Sequence, residues 1–549
     1  MSGLAARCSS RTEAVRDVVT PAERRAAYER DGHWRTETLA ARVARWAAAR
    51  PGDVAVVDAR GTYTYARLND DALRLAGFLR AAAVTPGTVV SVQLPNRYEA
   101  AVAAVAVQAL GAVVNPLLPN YRARELTDVF RRAEPRVIVT PAEYRGFDHC
   151  ALVDEVRERT GVAALHLVVD DGDGGGDARF VDALAEAPGP PAAAVPGAVS
   201  ELIFTSGTEA SPKAIMHTEQ TVGFSLRVAY ADLGLGPDDV VWMPSPVGHS
   251  TGFNYGLRFA LFHGLRLVLQ DIWNGDDAAA LVARERCTYT LAATTFLQDL
   301  VGVADRRGMR LDSLRAFGCG GAPVPPDLVA AAEAHGIGVL RLYGSTEVLV
   351  ATWNRPSSPA AKRLHTDGMA MSGVELALRD EDASPPAPGE PGELLVRGPN
   401  TCVGYFADPE RTADTFGPDG WVRSGDIVTL DPGGYVTVVG RKKEILIRGG
   451  INIAPREIEE MLMALPEVER AAVVGLPDPR LGERACACVV LRPGAALDLD
   501  TATARLRAAG LATYKLPERL EVMDALPTTA SGKVQKHELL RGLVPEDRS

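Results

Sequence analysis

No apolar run in these 549 residues approaches the ~20 needed to span a bilayer, so a membrane-crossing helix is not expected. The N-terminal stretch MSGLAARCSSRTEAVRDVV lacks the apolar core of a secretory signal. Cysteine is sparse: seven residues, at 8, 150, 287, 319, 402, 486 and 488, lie scattered along the chain. Only Cys486 and Cys488 are close, and C-x-C on an alternating apolar run suits a strand better than a zinc site. Reduced thiols in a cytoplasmic protein are therefore expected. An excess of positive charge is also lacking: the net charge of −11 offers no electrostatic footprint for nucleic acid or an anionic membrane. No internal repeat of solenoid period is present. What remains is 46% hydrophobic, as in an ordinary globular protein, and too long for one core, so two or more domains are expected.

The first 20 or so residues read as a loose tail. Leu39, Val43 and Trp46 then recur at helical spacing, predicting an amphipathic helix over 38–49. Two β-rich runs in 53–65, separated by Arg60-Gly61, predict a hairpin. Residues 68–83 read as helix, 89–94 as strand and 98–110 as a buried Ala/Val-rich helix. Residues 113–116 and 136–139 read as further strands. This alternation predicts a mostly parallel sheet covered on both faces. Residues 170–177 read as a solvated loop. Residues 187–199 read as a Pro/Ala-rich extended connector.

That connector delivers the chain into LIFTSGTEASPKAIMHTE, residues 202–219. Leu202, Ile203 and Phe204 read as the end of a buried strand. The run Thr205, Ser206, Gly207, Thr208, with Lys213 after it, combines hydroxyls, close backbone approach and a cation, which suits a loop around polyphosphate. The stretch alone suits a Ser/Thr-rich surface turn equally well, and no Gly-Lys-Ser/Thr closes it as a Walker motif.

TSGT-x-x-SPK resembles the phosphate loop of the adenylate-forming superfamily, which includes acyl- and aryl-CoA synthetases. LRLYGSTE (340–347), WVRSGD (421–426), GRKKEILIRGGINIAPREIEE (440–460) and LPTTASGKVQK (526–536) resemble further motifs of that family, in its order. WMPSPVGHSTGF (242–253) is similar to the branch containing cyclohexanecarboxylate–CoA ligases. The resemblance implies an α/β fold. A large N-terminal domain, 1–440, would hold parallel-rich sheets packed with helices plus a β-barrel-like part. A small mobile C-terminal α/β domain, 441–549, would swing on a hinge near Lys443. It implies Mg²⁺, with ATP or acyl-AMP and CoA as substrates.

The resemblance also assigns residues. Tyr343 would stack on adenine, with Gly320, Gly321, Ala322, Gly344 and Ser345 around the nucleotide. Thr346 would bind the α-phosphate and Glu347 would hold Mg²⁺, a hard cation that seeks carboxylate oxygen. Asp426 would accept from both ribose hydroxyls, with Arg441 beside it. Lys533 would swing in for adenylation. Gly449 and Gly450 would line the pantetheine tunnel. His249 would stand by the acyl pocket and the thiol's path, though a lone histidine also suits a core position. Phe253, Gly318 and Gly320 would line the acyl pocket. The small residues of AFGCGGAP (316–323) suit a bulky alicyclic or polycyclic acid of secondary metabolism, or a turn that merely needs glycine.

Three positions depart from the family loop: Glu209, Ala210 and Ala214. Like charges ~4 Å apart repel by about 4 kcal/mol at an effective dielectric of ~20. Glu209 beside a triphosphate is thus expected to weaken ATP binding, and Lys213 turned toward Glu209 would be lost to phosphate. A left-handed Ala210 adds about 1 kcal/mol of strain. Ala214 adds bulk. The expectation is a ligase whose adenylation step is weak or lost, fed acyl-AMP by a separate enzyme. The alternatives are a complete ATP-dependent ligase, an adenylation enzyme loading a carrier protein, or a non-catalytic adenylate binder. A homodimer is an open possibility.

Overall fold

The computed structural model describes residues 19–169, 175–193, 195–205, 212–380, 382–448, 451–529 and 533–544. Ser206 to Ser211, including Glu209 and Ala210, lie outside the described residues, as do Gly449, Gly450 and Cys8.

Two large sheets form the body. A seven-stranded sheet carries Val89–Val92, Val113–Pro116, Val137–Pro141 and Leu165–Val169 in parallel, with Val199–Thr205 at one side paired antiparallel to the edge strand Lys213–Thr218. A nine-stranded sheet is parallel through Val339–Ser345, Ala316–Gly320, Tyr289–Ala292, Val240–Met243, Arg266–Leu269 and Val54–Val57, and antiparallel at both edges. Helix Tyr98–Ala109 is buried all round except at Glu99, as its Ala/Val composition requires. Helix Leu39–Ala49 starts at Thr38, whose hydroxyl accepts from Ala41 N at 3.3 Å. The expected hairpin joins Val54–Val57 to Thr62–Thr64, its turn closed by Asp58 accepting from the Arg60 and Gly61 amides.

The barrel-like part is a four-stranded antiparallel meander of Glu375–Arg379, Gly392–Arg397, Val422–Leu430 and Val436–Arg441. The alternation over 392–405 suggests a strand pair, but only Gly392–Arg397 is a strand. Gly398-Pro399 breaks the run. The segment then crosses to the 346–350 turn, where Asn400 Nδ2 donates to the Val348 and Val350 carbonyls at 2.6 and 3.3 Å.

The last sheet holds Ile451–Ile453, Leu446–Arg448, Gly482–Leu491, Val468–Asp478 and Arg519–Val522, with helices Pro455–Met463, Leu499–Ala508 and Lys536–Leu543. It has its own apolar core around Ile458, Leu462, Val473 and Val489. Cys486 and Cys488 lie on Gly482–Leu491, both buried and unbridged. Lys443 occupies a single 3-10 turn, Lys442–Glu444, between the meander and this sheet. Among the described residues no helix is long and apolar enough to cross a membrane.

Candidate active site

The ends of several strands meet at one place. Strands Val199–Thr205 and Lys213–Thr218 pair so that Thr205 faces Lys213, which brackets the segment expected to bind phosphate at both ends. The Lys213 ammonium lies 3.4 Å from Glu347 Oε1 and 5.4 Å from the Tyr405 ring centroid. Among the described residues it pairs with Glu347, and the expected diversion toward Glu209 falls on a residue outside the described ones. Ala214 departs from expectation. It sits opposite Phe204 in regular extended pairing, fully buried beside Phe204, Met216 and Phe406, so its methyl group fills core.

Strand Val339–Ser345 returns as Leu349–Trp353, and the tight turn between them carries Thr346 and Glu347. A register shift at Tyr343/Gly344 brings Gly344 against the Leu349 carbonyl, where a side chain would clash. Glu347 is mostly buried. Burial opposes its charge, but Lys213, its own backbone N–H, the Tyr405 hydroxyl and Ser345 together hold the carboxyl below its ordinary 4.5. Tyr405 Oη donates to Glu347 Oε1 at 3.0 Å, and Cys402 N donates to the Glu347 carbonyl at 2.7 Å. Behind the turn, His217 Nε2 is 2.7 Å from the Thr346 carbonyl, which can only accept, so Nε2 bears the proton. Burial lowers the His217 pKa and keeps the ring neutral.

Beside this turn, Tyr343 Oη donates to Asp426 Oδ2 at 2.6 Å, and Arg441 Nε lies 3.2 Å from Asp426 Oδ1. Asp426 and Arg441 face each other across adjacent strands, so the register of the meander builds the pair. Burial raises the Asp426 pKa despite Arg441 and Tyr343.

Lys533 enters over Gly321. Gly321 has φ +78°, and a β-carbon there would stand 3.4 Å from Lys533 Cε. Lys533 is exposed as a residue, while its ammonium end lies amid protein charge. Burial of the ammonium and the Arg441 guanidinium lower its pKa from 10.5, against the opposing carboxylates of Asp426, Glu347 and Glu444. The positive charge of Lys533 also reaches His249, whose pKa falls to about 4 through burial first and Lys533 second. His249 is therefore neutral near pH 7. It caps the Ser250–Gly252 turn, its Nδ1 accepting from Thr251 N at 3.3 Å. Phe253 follows, buried, at the start of a π-helical stretch Phe253–Arg258.

The small residues of 316–322 do not leave the open walls expected. A β-carbon on Gly318 would meet the Leu291 and Leu342 side chains at 3.2 Å, and one on Gly320 would meet the Leu342 carbonyl oxygen at 2.5 Å. These glycines seat the neighbouring strands, because tightly paired strands and the leucines on them already occupy the space.

Sequence reasoning missed four supporting groups: His217 and Tyr405 above, Asn400, and Asn96. The buried Asn96 amide donates to the carbonyls of Met243, Ser245 and Gln270 at 3.1, 2.9 and 3.1 Å and accepts from Val247 N at 2.8 Å. It thereby holds the turn that presents His249. The amide's place in LPNRY, after a strand signal, was the one hint.

The Lys533 environment has a pH consequence. If its ammonium bridges two anions, activity in the first half-reaction is lost as pH rises through its depressed pKa. The kcat/KM for ATP–pyrophosphate exchange is expected to fall on an alkaline limb below 10.5. Arg441→Gln, by removing a like charge, is expected to move that limb upward. A limb that does not move would contradict the arrangement.

The structure thus gathers a buried carboxylate beside a lysine, a Tyr–Asp–Arg cluster and a second lysine from the C-terminal segment beside the loop bracketed by Thr205 and Lys213. Residues 43–406 match the AMP-binding enzyme family and residues 457–533 match the AMP-binding enzyme C-terminal domain. The chain is 36% identical over 540 residues to a medium-chain fatty-acid–CoA ligase of Escherichia coli (strain K12), covering 95% of this chain and 93% of that protein. It is 36% identical over 535 residues to a salicylyl-CoA synthase / salicylate adenylyltransferase of a Streptomyces species, covering 95% and 96%. The ATP-bound structure of MatB from Rhodopseudomonas palustris superimposes with a TM-score of 0.83 at 29% identity, over 92% of this chain and 99% of that one. The chain belongs to the AMP-binding enzyme family, and within it to the acyl-CoA synthetases, which are acid–thiol ligases.

Proposed function

We propose that the chain joins a ring-bearing carboxylic acid to coenzyme A through an acyl-adenylate and carries out both half-reactions. The observation that carries this reading is the seating of Lys533 over Gly321, among Glu347, Asp426 and Arg441 and within electrostatic reach of His249. In the first step a carboxylate oxygen of the acid attacks the α-phosphorus of ATP, the α–β bridging P–O bond breaks, and pyrophosphate leaves. Lys533 sits where it would offset charge between the two anions. Thr346, fixed through its carbonyl by His217, offers its hydroxyl to the α-phosphate. Tyr343 supplies a flat surface for adenine, and Asp426 accepts from the ribose.

The donor set fits Mg²⁺: Glu347 is an ionised carboxylate supported by Tyr405, and magnesium binds through one or two carboxylates plus substrate phosphates. When bound, the ion neutralises phosphate charge. In the second step the CoA sulfur attacks the acyl carbon, the acyl C–O bond breaks and AMP leaves. We propose residues 441–549 as the swinging domain, hinged at Lys443, and assign Gly449 and Gly450 to the thiol's path by their sequence motif alone. Neutral His249 would stand by the thiol's path. The ring-bearing acid rests on the likeness to the salicylyl-CoA synthase and on the 242–253 segment, and a bulky alicyclic or polycyclic acid is the form that segment favours.

A second reading is favoured by one feature, the acidic Glu209 in the loop sequence. In it the first half-reaction is slow, and a separate enzyme supplies the acyl-adenylate. To separate the two, cyclic and aromatic acids are incubated with ATP and CoA, then as synthetic acyl-adenylates with CoA, with thioester read by mass spectrometry. Comparable turnover from acid and from adenylate supports the complete ligase. Turnover confined to adenylates, with pyrophosphate exchange restored in Glu209→Thr/Ala210→Gly, overturns it. Thioester only on a phosphopantetheinylated carrier protein, and none on free CoA, would also overturn it.

A further inference from the structure

Helix Glu219–Asp232 turns its faces to different surroundings. Ser225 is buried, its hydroxyl 2.6 Å from Tyr255 Oη. Phe224, Val228 and Ala231, at i, i+4 and i+7, form a separate apolar stripe. That stripe lines a cavity of about 230 Å³ together with His33, Arg35 and Arg227. None of these residues belongs to the group gathered around Lys213, Glu347, Asp426 and Lys533. The volume falls below the roughly 300–1,000 Å³ of sites for drug-sized ligands, so the cavity suits a small organic molecule and is too small for CoA.

The charge around it is unbalanced. Arg227 is only 15% exposed, and its Nη2 donates to the His33 carbonyl at 2.6 Å. Its Nη1 stands 3.8 Å from Glu37 Oε2, while Arg42 Nη2 takes Glu37 Oε1 at 2.6 Å. Arg35 Nε is spent on the Gly32 carbonyl at 3.1 Å. Three guanidinium groups therefore meet around the Glu37 carboxylate. Burial first, then the like charges of Arg35 and Arg42, lower the Arg227 pKa to about 10 against the pull of Glu37. The cavity also reaches Asp232, but that carboxylate is already matched. It accepts from Arg355 Nη2 at 2.9 Å, Trp353 Nε1 at 3.3 Å and Ser372 Oγ at 3.2 Å. What is left over is positive charge beside an apolar floor. A guanidinium group matches a carboxylate in shape and charge, and the stripe needs an apolar body to cover it.

We propose that this cavity is a second binding site for a small apolar carboxylic acid, its carboxylate on Arg35 and Arg227 and its body on Phe224, Val228 and Ala231. An acid held there is bound without being activated. The inference goes beyond the ligase reading and does not depend on it.

The test fills the adenylate site of the full chain with a non-hydrolysable acylsulfamoyl adenosine and follows binding of carbon-14 octanoate and benzoate by equilibrium dialysis. One further equivalent of acid is expected to bind. Its Kd is expected to rise about tenfold in Arg35→Gln, the effect of losing one charge-assisted hydrogen bond, and to rise with added salt. Val228→Glu, which sets a carboxylate on the half-buried stripe, is expected to abolish binding. 1-Octanol lacks the charge and inorganic phosphate lacks the apolar body, so each is expected to bind at least about tenfold more weakly than octanoate. No acid bound beyond the filled site would overturn the proposal. So would a Kd unmoved in both variants, or phosphate binding as tightly as octanoate. Failure of the sulfamate to bind would count against the ligase reading alone, and the comparison of wild type with Arg35→Gln in its absence would still decide this proposal.

Discussion

Replacing Lys533 by alanine is expected to lower ATP–pyrophosphate exchange by about a hundredfold to a thousandfold, the range seen when one preorganised charge-stabilising group is removed. The physical reason is local. Glu347, Asp426 and the incoming carboxylate and phosphates place several negative charges at one strand end. Lys533 is the cation that the C-terminal sheet adds to Lys213 and Arg441 there. Lys533 packs beside Gly321, and the Tyr343–Asp426–Arg441 group is held by its own hydrogen bond and ion pair, so loss of the lysine leaves that group in place. Thiolysis of a supplied acyl-adenylate by CoA is therefore expected to stay within about twofold of wild type, the pattern of an interaction made in one transition state only. Equal loss in both assays would mean that Lys533 serves the fold or the binding of AMP.

Arg258→Ala is expected to be the most destabilising single change away from the reacting atoms. Arg258 is 1% exposed and bridges Glu201 on the strand leading into the phosphate loop to Glu219 at the start of helix Glu219–Asp232. Glu219 Oε2 also accepts from Leu39 N at 2.8 Å, which extends the cluster to the N-terminal helix. Removing the arginine leaves two buried carboxylates facing one another with no cation between them. Breaking a buried pair in this way costs about 3–5 kcal/mol. A urea titration is expected to show a lower midpoint, and a triple change of Arg258, Glu201 and Glu219 to apolar residues of similar size should recover most of the loss. An unchanged midpoint in Arg258→Ala would contradict this account of the cluster.

The parts of the site that were legible in the sequence are those whose chemistry is packed into short runs. TSGT-x-x-SPK, YGSTE, SGD and GRKKE each carry several functional residues within a few positions, and the fold brings Lys213, Glu347, Asp426, Arg441 and Lys533 together. The strands and helices of the first 140 residues were legible for a similar reason. Val89–Val92 and Tyr98–Ala109 have apolar patterns that admit few alternatives. The groups that were missed act across long separations. His217 meets Thr346 after 129 residues, Tyr405 meets Glu347 after 58, and Asn96 meets Ser245 after 149. A single polar residue with a distant backbone partner leaves no periodicity to read. The glycines of 316–321 misled for a different reason: absence of a side chain says that something approaches closely, but not whether it is substrate or, as at Gly318, the protein's own leucines.

The central claim is that the acid becomes a mixed anhydride with AMP before it becomes a thioester. It is tested most directly with an acid carrying oxygen-18 in its carboxylate, turned over with ATP and CoA, followed by mass spectrometry of the nucleotide. If a carboxylate oxygen attacks the α-phosphorus and the thiol then breaks the acyl C–O bond, each AMP formed carries one labelled oxygen. Unlabelled AMP, or label appearing in inorganic phosphate beside ADP, would contradict it.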